Sequence, residues 1–325
     1  MAAATLGAVI CAYSDERRNE LVRSIESLLT QSRPLDRIVL VIDHNDGLLD
    51  HATELFADRG VTVVANHAKQ GLSGARNSGV AVIDTDVIAF LDDDAEAAKD
   101  WSQRIGSAYA DPSVIGAGGA VIPRWQSKRP SWFPEEFLWV VGCTYRGLPT
   151  EMADVRNLIG ANMSLRSDVF VRAGHFSTDV GRVGKKPVGC EETELCIRAL
   201  AAIDPSHIIY DPTARVTHLV TTERATWRYF RQRCFMEGIS KAQVVRMAGA
   251  GQGLSSERSY STKVLPLGVL RGLGDVFRGR PSGITRAMAI CAGLLITTAG
   301  FIRGRLAPQV LEPLPTTTKK SEHEE

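Results

Sequence analysis

The first 120 or so residues alternate apolar strand patterns with helical patterns, and this alternation constrains the fold more than any other feature of the chain. Helical periodicity is visible, for example, in the spacing of Leu21, Ile25 and Leu28. Four short apolar runs have the length of buried strands: residues 6–12, 38–43, 61–65 and 87–91. Strands that alternate with helices predict an α/β fold with a mainly parallel central sheet and helices on both faces.

Polar residues follow three of these predicted strands directly. The three polar segments are Ala12-Tyr13-Ser14, Asp43-His44-Asn45 and Asp92-Asp93-Asp94. In open α/β sheets, ligands bind in the crevice at the carboxyl ends of the strands. The sequence therefore predicts a ligand site where these three segments meet.

The run of three aspartates is the most specific of these segments. Asp92 and Asp94 are two carboxylates one residue apart at a strand end, which can hold a hard divalent cation that in turn binds phosphates. The alternative interpretation is an acidic N-cap in front of the helix predicted around Trp101.

A second group of acids opens another predicted helix. Glu191 and Glu192 are adjacent, so they cannot point in the same direction, and Glu194 follows them. Acidic residues in a first helical turn are favoured by the helix dipole, which accounts for one of the three and not for all of them. One of the pair is therefore a candidate to face the cleft.

Seven segments, in this order, resemble the family 2 glycosyltransferases, which have the GT-A nucleotide-sugar-binding fold. The segments are AVICAYSDE, IVLVIDHN, GLSGARNSG, AFLDDDA, NLIGANMSLR, CEETELCIR and ARVTH. The resemblance extends from about Thr5 to about Gly238. It implies an inverting glycosyltransferase that uses a nucleotide-diphosphate sugar, for which we expect a UDP-sugar.

The resemblance also implies which residues bind a metal ion and which remove a proton. Asp92 and Asp94 correspond to the acids that hold Mg²⁺ or Mn²⁺, and His218 corresponds to a residue that completes the coordination. Read without the family, a single histidine is more often structural. Glu192 matches the catalytic base, with Glu191 as the alternative, because the family usually has aspartate at the position of Glu192.

Donor binding is assigned by the same resemblance. Asp43 matches the acid that contacts the nucleotide base, and Arg76 can neutralise phosphate charge or hold the aspartates in register. Asn162 is the preferred polar contact in the segment that forms the wall for donor sugar and acceptor. The full set of expected donor-binding residues is Ala12, Tyr13, Asp15, Asp43, Gly74, Arg76, Asp92, Asp93 and Asn162.

The formal net charge of +1 conceals a strongly basic C-terminal portion. Residues 224–306 carry 12 Arg and 2 Lys against three acids, a net charge of +11, and the remaining residues carry −10. Within this portion, Arg271 and Arg278 lie on a different face of a predicted helix from its apolar residues, which makes the helix basic and amphipathic. The apolar residues are Val269, Leu270, Leu273, Val276 and Phe277.

This basic portion predicts attachment to a membrane surface. The uncharged segment 287–302 is shorter than the roughly 18–20 residues that a spanning helix needs. We therefore expect monotopic attachment to anionic lipid at the cytoplasmic face, with a soluble helical dimer interface as the alternative. Trp132, Arg231 and Arg233 are the candidate contacts to an acceptor or to lipid.

The resulting organisation has three parts. We expect a catalytic domain over residues 1–223, a basic membrane-associating region over 224–306 and a disordered tail over 307–325. The catalytic domain comprises a nucleotide-binding part to about residue 122 and an acceptor part from about 123. The balanced total charge excludes a dedicated nucleic-acid binder, whereas a homo-oligomer stays open.

The predicted reaction moves a sugar to a hydroxyl of a lipid-linked acceptor, either a polyprenyl-phosphate sugar or an envelope glycolipid. Some family members with a similar pattern are glucuronosyltransferases acting on glucosyl polyprenyl phosphate. One alternative uses the lipid phosphate itself as acceptor, but that reaction needs no base, so the Glu191-Glu192 pair counts against it. Retention of both acidic groups also counts against a catalytically silent nucleotide-binding scaffold.

Overall fold

A single mixed sheet organises the fold in the computed structural model, which describes residues 4–178, 189–253 and 255–306. The strands are β1 (Leu6–Ala12), β2 (Arg37–Ile42), β3 (Val61–Ala65), β4 (Val87–Asp92), β5 (Ala95–Ala97), β6 (Val114–Trp125), β7 (Ala153–Asp154), β8 (Asn162–Arg166) and β9 (His207–Val220). Their order in the sheet is β3-β2-β1-β4-β8-β6-β9-β5, and β7 pairs with β9.

Helices lie between the strands and after the last of them. They are α1 (Arg18–Leu29), α2 (Asp46–Phe56), α3 (Leu72–Val82), α4 (Trp101–Ala108), α5 (Ser167–Arg172), α6 (Glu191–Ala202), α7 (Trp227–Gly253), α8 (Ser255–Ser259), α9 (Leu265–Phe277) and α10 (Ser282–Leu306). A 3-10 helix, Glu135–Val141, lies between β6 and β7.

The parallel half of the sheet confirms the α/β prediction. Strands β3, β2, β1 and β4 are parallel neighbours, and Ala8 of β1 pairs with Ile38 on one side and Ala89 on the other. The predicted strand limits agree with the observed ones to within one residue. These strands read as continuous apolar runs because helices cover both faces of the sheet.

The other half of the sheet departs from the simple alternation. β8 pairs antiparallel with β4 and β6, and β6 pairs parallel with β9. The two short strands expected around residues 208–210 and 214–217 are one continuous strand, β9. β5 is antiparallel to β9, with Ala95 opposite His218. This pairing brings His218 to the end of the run of aspartates.

The basic C-terminal helices pack tightly on one another and on the body of the protein. A Cβ atom at Gly300 would lie 2.0 Å from the carbonyl oxygen of Phe235, so α7 and α10 are in backbone contact. Gly293 of α10 packs against the ring of Phe137, and Ile290 belongs to the same apolar core as the parallel strands. The division at residue 223 stays a prediction, and the tail 307–325 lies outside the described residues.

Helices α9 and α10 direct small residues inward and large apolar residues outward. Their buried positions include Gly268, Gly272, Gly283, Ala287, Gly293, Gly300 and Gly304. Leu270 is 63% exposed, Phe277 92% and Leu295 70%. Helix α10 has the length and apolar composition of a membrane-crossing helix, with a mean hydropathy of 1.6, although a third of that window is buried in the protein. The helix is thus longer than the uncharged segment noted in the sequence.

Candidate active site

The carboxyl ends of β1 and β2 meet as the sequence predicts. Asn45 Nδ2 donates to Asp15 Oδ2 at 2.9 Å and to the carbonyl oxygen of Tyr13 at 3.2 Å, which joins the two strand ends. Tyr13 is 43% exposed, whereas Ala12 is buried. The side chains of Tyr13 and Asp15 are therefore presented at the sheet edge, where a ligand can reach them.

Asp43 holds the glycine-containing loop in front of α3. Its Oδ2 accepts from the Gly71 N–H at 3.0 Å, and its Oδ1 accepts from Asn66 Nδ2 at 2.6 Å. Gly71 has φ +127°, which favours glycine. A Cβ atom at Gly74 would lie 1.9 Å from a backbone carbonyl oxygen of the same loop. These contacts fix the loop, while a direct contact of Asp43 with a nucleotide base stays a prediction.

Asp92, Asp94 and His218 converge into one cluster. One potential ligand atom from each lies within 4.8 Å of the other two. His218 Nε2 is 3.1 Å from Asp94 Oδ1 and 4.0 Å from Asp92 Oδ2. The sequence thus predicted correctly that these three residues come together.

The cluster is fit to hold a hard divalent cation. Two buried carboxylate oxygens beside it, Asp93 Oδ2 and Glu191 Oε2, have no hydrogen-bond partner within the described part of the chain. Buried carboxylate oxygens normally have partners, so these two oxygens are available to a bound donor or cation. Carboxylate oxygens and an imidazole nitrogen suit Mg²⁺ or Mn²⁺.

Burial and neighbouring charges have opposing effects on the pKa values of the residues in this cluster. Burial opposes ionisation of Asp94, but its neighbours His218, Arg224 and Arg17 outweigh that effect and hold its pKa well below the usual range. Burial likewise disfavours the charged imidazole, yet the nearby carboxylate of Asp94 raises the pKa of His218 to about 10. Burial raises the pKa of Asp93 to about 7.

Arg17 is a site residue that the sequence analysis missed. Its Nη1 lies 2.8 Å from Asp93 Oδ1 and 2.8 Å from Asp94 Oδ2, and its guanidinium lies 5.1 Å from the centre of the Tyr13 ring. Arg224 Nη2 approaches Asp94 Oδ2 at 3.5 Å. The motif at β1 ends one residue before Arg17, and nothing local in the sequence distinguishes this arginine from those on a helix surface.

Arg76 links the two acidic groups. It is 3% exposed, its Nη1 lies 3.4 Å from Glu191 Oε1, and its Nη2 lies 3.6 Å from Asp92 Oδ1. Nη2 also donates to the carbonyl oxygen of Gly160 at 3.2 Å. Arg76 is expected either to neutralise phosphate charge or to hold the acids in register. These contacts favour the second role.

Glu191 and Glu192 occupy different environments, as their adjacency requires. Glu191 is 3% exposed and pairs with Arg76, whereas Glu192 is partly exposed. Although the residue is partly exposed, its carboxyl group is desolvated, and this effect, together with the charge of Glu191, raises the pKa of Glu192 to about 8. A carboxyl with a raised pKa in a partly open position has the properties of a general base.

Asn162 lies in the interior of the sheet. This position contradicts the prediction that Asn162 contacts the donor. Its Nδ2 donates to the carbonyl oxygens of Ala120 and Ala214, and its Oδ1 accepts from Trp101 Nε1 at 2.8 Å. The residue is 0% exposed. Its polar atoms are thus used to join strands, because a buried amide requires partners.

The three candidate acceptor or lipid contacts have different surroundings. Trp132 packs in an aromatic group with ring-centre distances of 5.2 Å to Phe133 and 5.2 Å to Trp227. Trp132 therefore packs the predicted acceptor segment against α7. Arg231 is exposed on α7 and lines a shallow groove, whereas Arg233 is partly buried.

The mixed α/β sheet and the acidic cluster at the end of β4 define a GT-A glycosyltransferase. The family model for glycosyl transferase family 2 matches residues 8–173. The chain is 32% identical over 309 residues to the glucosyl-dolichyl phosphate glucuronosyltransferase of Haloferax volcanii, a match that covers 94% of this chain and 97% of that protein. The chain belongs to glycosyl transferase family 2 and is a glycosyltransferase.

More distant relatives share the fold. The pre-mycofactocin glycosyltransferase of Mycobacterium tuberculosis is 24% identical over 68% of this chain and 45% of its own length. A Pyrobaculum calidifontis mannosyltransferase in complex with GDP-Man and Mn²⁺ has a TM-score of 0.58 at 15% identity, covering 91% of this chain and 87% of that one. GalNAc-T7 with UDP, GalNAc and Mn²⁺ has a TM-score of 0.53 at 17% identity, covering 79% and 53%.

Proposed function

We propose that the protein is an inverting transferase that moves a sugar from a UDP-sugar to a hydroxyl group of a lipid-linked acceptor. One observation carries this proposal. The cluster of Asp92, Asp94 and His218 lies beside Glu191 and Glu192, and Arg76 contacts an acid of each group. This arrangement supports the proposal that one cleft contains a cation site for a diphosphate and a base for an acceptor.

The residues divide the chemistry between them. A divalent cation held by Asp92, Asp94 and His218 would stabilise the charge of the departing diphosphate. Glu192 takes the proton from the acceptor hydroxyl, which attacks the anomeric carbon from the opposite face. Transfer to a lipid phosphate needs no such base, and the raised pKa of Glu192 therefore favours a hydroxyl acceptor.

The relative that matches nearly the whole chain supports a proposal for the sugar and the acceptor. Because that relative is named a glucosyl-dolichyl phosphate glucuronosyltransferase, we propose glucuronosyl transfer from UDP-glucuronate to a glucosyl polyprenyl phosphate. The direct experiment offers a panel of UDP- and GDP-sugars with membrane lipid extract and identifies products by mass. A preference for GDP-sugars, or a product with one sugar on a lipid phosphate, would contradict the proposal.

The activity should depend on pH through Glu192. Because its pKa is about 8, the fraction in the basic form falls with each unit below pH 8, and kcat should rise with pH and level off above about 8. The measurement is kcat at saturating donor, acceptor and Mn²⁺. The Glu192→Gln variant should lack this rise in its residual rate, and a flat wild-type profile would count against Glu192 as the base.

The exposed apolar face of α9 and α10 supports attachment to a membrane. Helices with small residues at their contacts and large apolar residues outside are typical of packing in lipid. Leu270→Asp with Phe277→Asp should lower binding to anionic liposomes at least about 10-fold, because each large apolar side chain contributes roughly 1.5–3 kcal/mol when buried. Flotation of the purified protein with liposomes measures this change.

A matched control for this experiment lies on α5. Val171 of α5 is 86% exposed, so Val171→Asp adds a charge at a similarly exposed apolar position without touching α9 or α10. This variant should float as the wild type does. Equal flotation of the Leu270/Phe277 variant and the wild type would show that this face does not contact lipid.

A further inference from the structure

A polar pocket lies between the predicted acceptor segment and helices α9 and α10. It is separate from the cluster of Asp92, Asp94 and His218. Its volume is about 360 Å³. Four arginines from three parts of the chain line it: Arg129, Arg146, Arg271 and Arg286. Three carboxylates, Glu135, Glu136 and Asp275, also line it, so the charged groups of the pocket have a net positive charge.

The carboxylates orient the guanidinium groups. Glu136 is 5% exposed, and its Oε1 accepts from Arg271 Nη2 at 2.6 Å. Asp275 Oδ2 accepts from Arg286 Nη2 at 2.6 Å. A guanidinium group has five N–H donors, so these pairs fix the arginines and leave further donors for a ligand. An arrangement of this kind is preorganised to bind an anion with several oxygens, such as a phosphate.

One side of the pocket adjoins the apolar surface. Arg271 lies one helical turn after Leu267 on α9, and Leu267 and Leu270 are 54% and 63% exposed. Gly268 and Gly272, which line the pocket, lie on the same helix and are buried. A ligand with an anionic group and a hydrocarbon chain could therefore place the anion in the pocket and the chain along the exposed leucines.

The other side of the pocket leads to the candidate active site. The 3-10 helix Glu135–Val141 begins in the pocket and ends before Gly142, whose Cβ position would be 3.5 Å from His218 Cε1. The segment therefore connects the wall of the pocket at Glu136 with the surroundings of His218.

We propose that this pocket binds the phosphate of the lipid-linked acceptor. The four arginines contact the phosphate oxygens, the lipid chain follows the exposed face of α9, and the sugar extends toward Glu192. The assignment rests on the proposed function for the class of acceptor. It adds a phosphate subsite on the C-terminal helices, distinct from the cluster at Asp92, Asp94 and His218.

The test measures binding to phosphatidylcholine vesicles with and without polyprenyl phosphate. Wild-type protein should bind the vesicles that contain polyprenyl phosphate more tightly. Arg271→Gln and Arg129→Gln should each reduce this preference about 10-fold or more, as expected for a lost charge-assisted hydrogen bond. Arg278→Gln is the control, because Arg278 is an exposed arginine at the end of α9 outside the pocket.

A second set of vesicles separates a phosphate subsite from general surface charge. Vesicles that contain phosphatidylglycerol at the same total charge should be preferred less strongly over phosphatidylcholine vesicles. Arg271→Gln and Arg278→Gln should change this weaker preference by the same amount. An equal preference for both lipids, or an unchanged preference in Arg271→Gln and Arg129→Gln, would overturn the proposal. If Arg271→Gln fails to fold because Glu136 loses its partner, Arg271→Lys and Arg129→Gln decide the question.

Failure of the pocket and failure of the proposed function have different signatures. Binding of UDP with Mn²⁺ should be the same in wild type and Arg271→Gln, which reports an intact donor site. Transfer to a lipid acceptor together with unchanged lipid binding by the pocket variants refutes the pocket alone. Selective binding of polyprenyl phosphate without transfer from any donor in the panel refutes the proposed reaction and leaves the pocket supported.

Discussion

Replacement of Glu192 by glutamine is expected to lower kcat about 10²- to 10⁴-fold, the usual contribution of general base catalysis. Glutamine has nearly the same shape as glutamate but cannot accept a proton from the acceptor hydroxyl. Glu192 is partly exposed, whereas its neighbour Glu191 is buried against Arg76, so the substitution should leave the donor site intact. Steady-state transfer rates and a titration with UDP in the presence of Mn²⁺ measure the two quantities separately.

The same helix supplies a control for this substitution. Glu194 pairs with Arg198 through Oε1 and Nε at 2.7 Å, which makes its role structural. Glu194→Gln should keep kcat within a few-fold of wild type, since the pairing of Glu194 with Arg198 involves neither Glu192 nor Arg76. Near-normal turnover of Glu192→Gln would make the assignment wrong, and Glu191 would then be the next candidate for the base.

Replacement of Asp94 by alanine is expected to abolish the effect of a divalent cation on donor binding. Asp94 is 3% exposed and lies within 3.1 Å of His218 Nε2, at the centre of the candidate cation site. Loss of an outer partner of a metal site typically costs 10- to 100-fold in metal affinity, so loss of a direct ligand should exceed about 100-fold. Titration of UDP with and without Mn²⁺ measures the difference.

This variant also removes the carboxylate that pairs with Arg17 and Arg224, so its fold needs a separate check. Asp94→Asn keeps the shape and an oxygen acceptor, and should retain the fold while losing most of the Mn²⁺ dependence. The control is Asp100→Asn, because Asp100 is a surface carboxylate that pairs with Arg104 at 2.6 Å, outside the cluster. If Mn²⁺ strengthened UDP binding to Asp94→Asn as it does for wild type, the cation site would lie elsewhere.

The parallel half of the sheet is predictable because its signals are local. A strand such as Val61–Ala65 is a short apolar run between two helical patterns, and its predicted limits agree with the structure. The same analysis does not detect β6 and β8. β6 has glycines where strands normally have side chains, and Gly119 is needed because a Cβ atom there would lie 1.9 Å from a backbone oxygen. β8 contains Asn162 and Ser164, which look like loop residues until their buried partners are known.

The candidate site likewise contains some residues that the sequence reveals and others that it does not. Asp92 and Asp94 are recognisable in the sequence because they follow an apolar strand, and His218 because it lies in a family motif. The pairing of Arg17 with Asp94 spans 77 residues and that of Arg224 spans 130, so both depend on tertiary structure that no local pattern encodes. Asn162 illustrates the opposite error, since a family motif does not show whether a side chain faces the cleft or the sheet.

The bridge between Arg17 and the carboxylates of Asp93 and Asp94 gives the free protein an internal counter-ion. A carboxylate oxygen that pairs with Arg17 must release it before it can bind a cation in the same place. Binding of a divalent cation would then displace Arg17. Its free energy would be the difference between the pairing of the carboxylates with the cation and their pairing with Arg17. The same guanidinium lies 5.1 Å from the centre of the Tyr13 ring, so its displacement by a cation would also remove this cation–π contact.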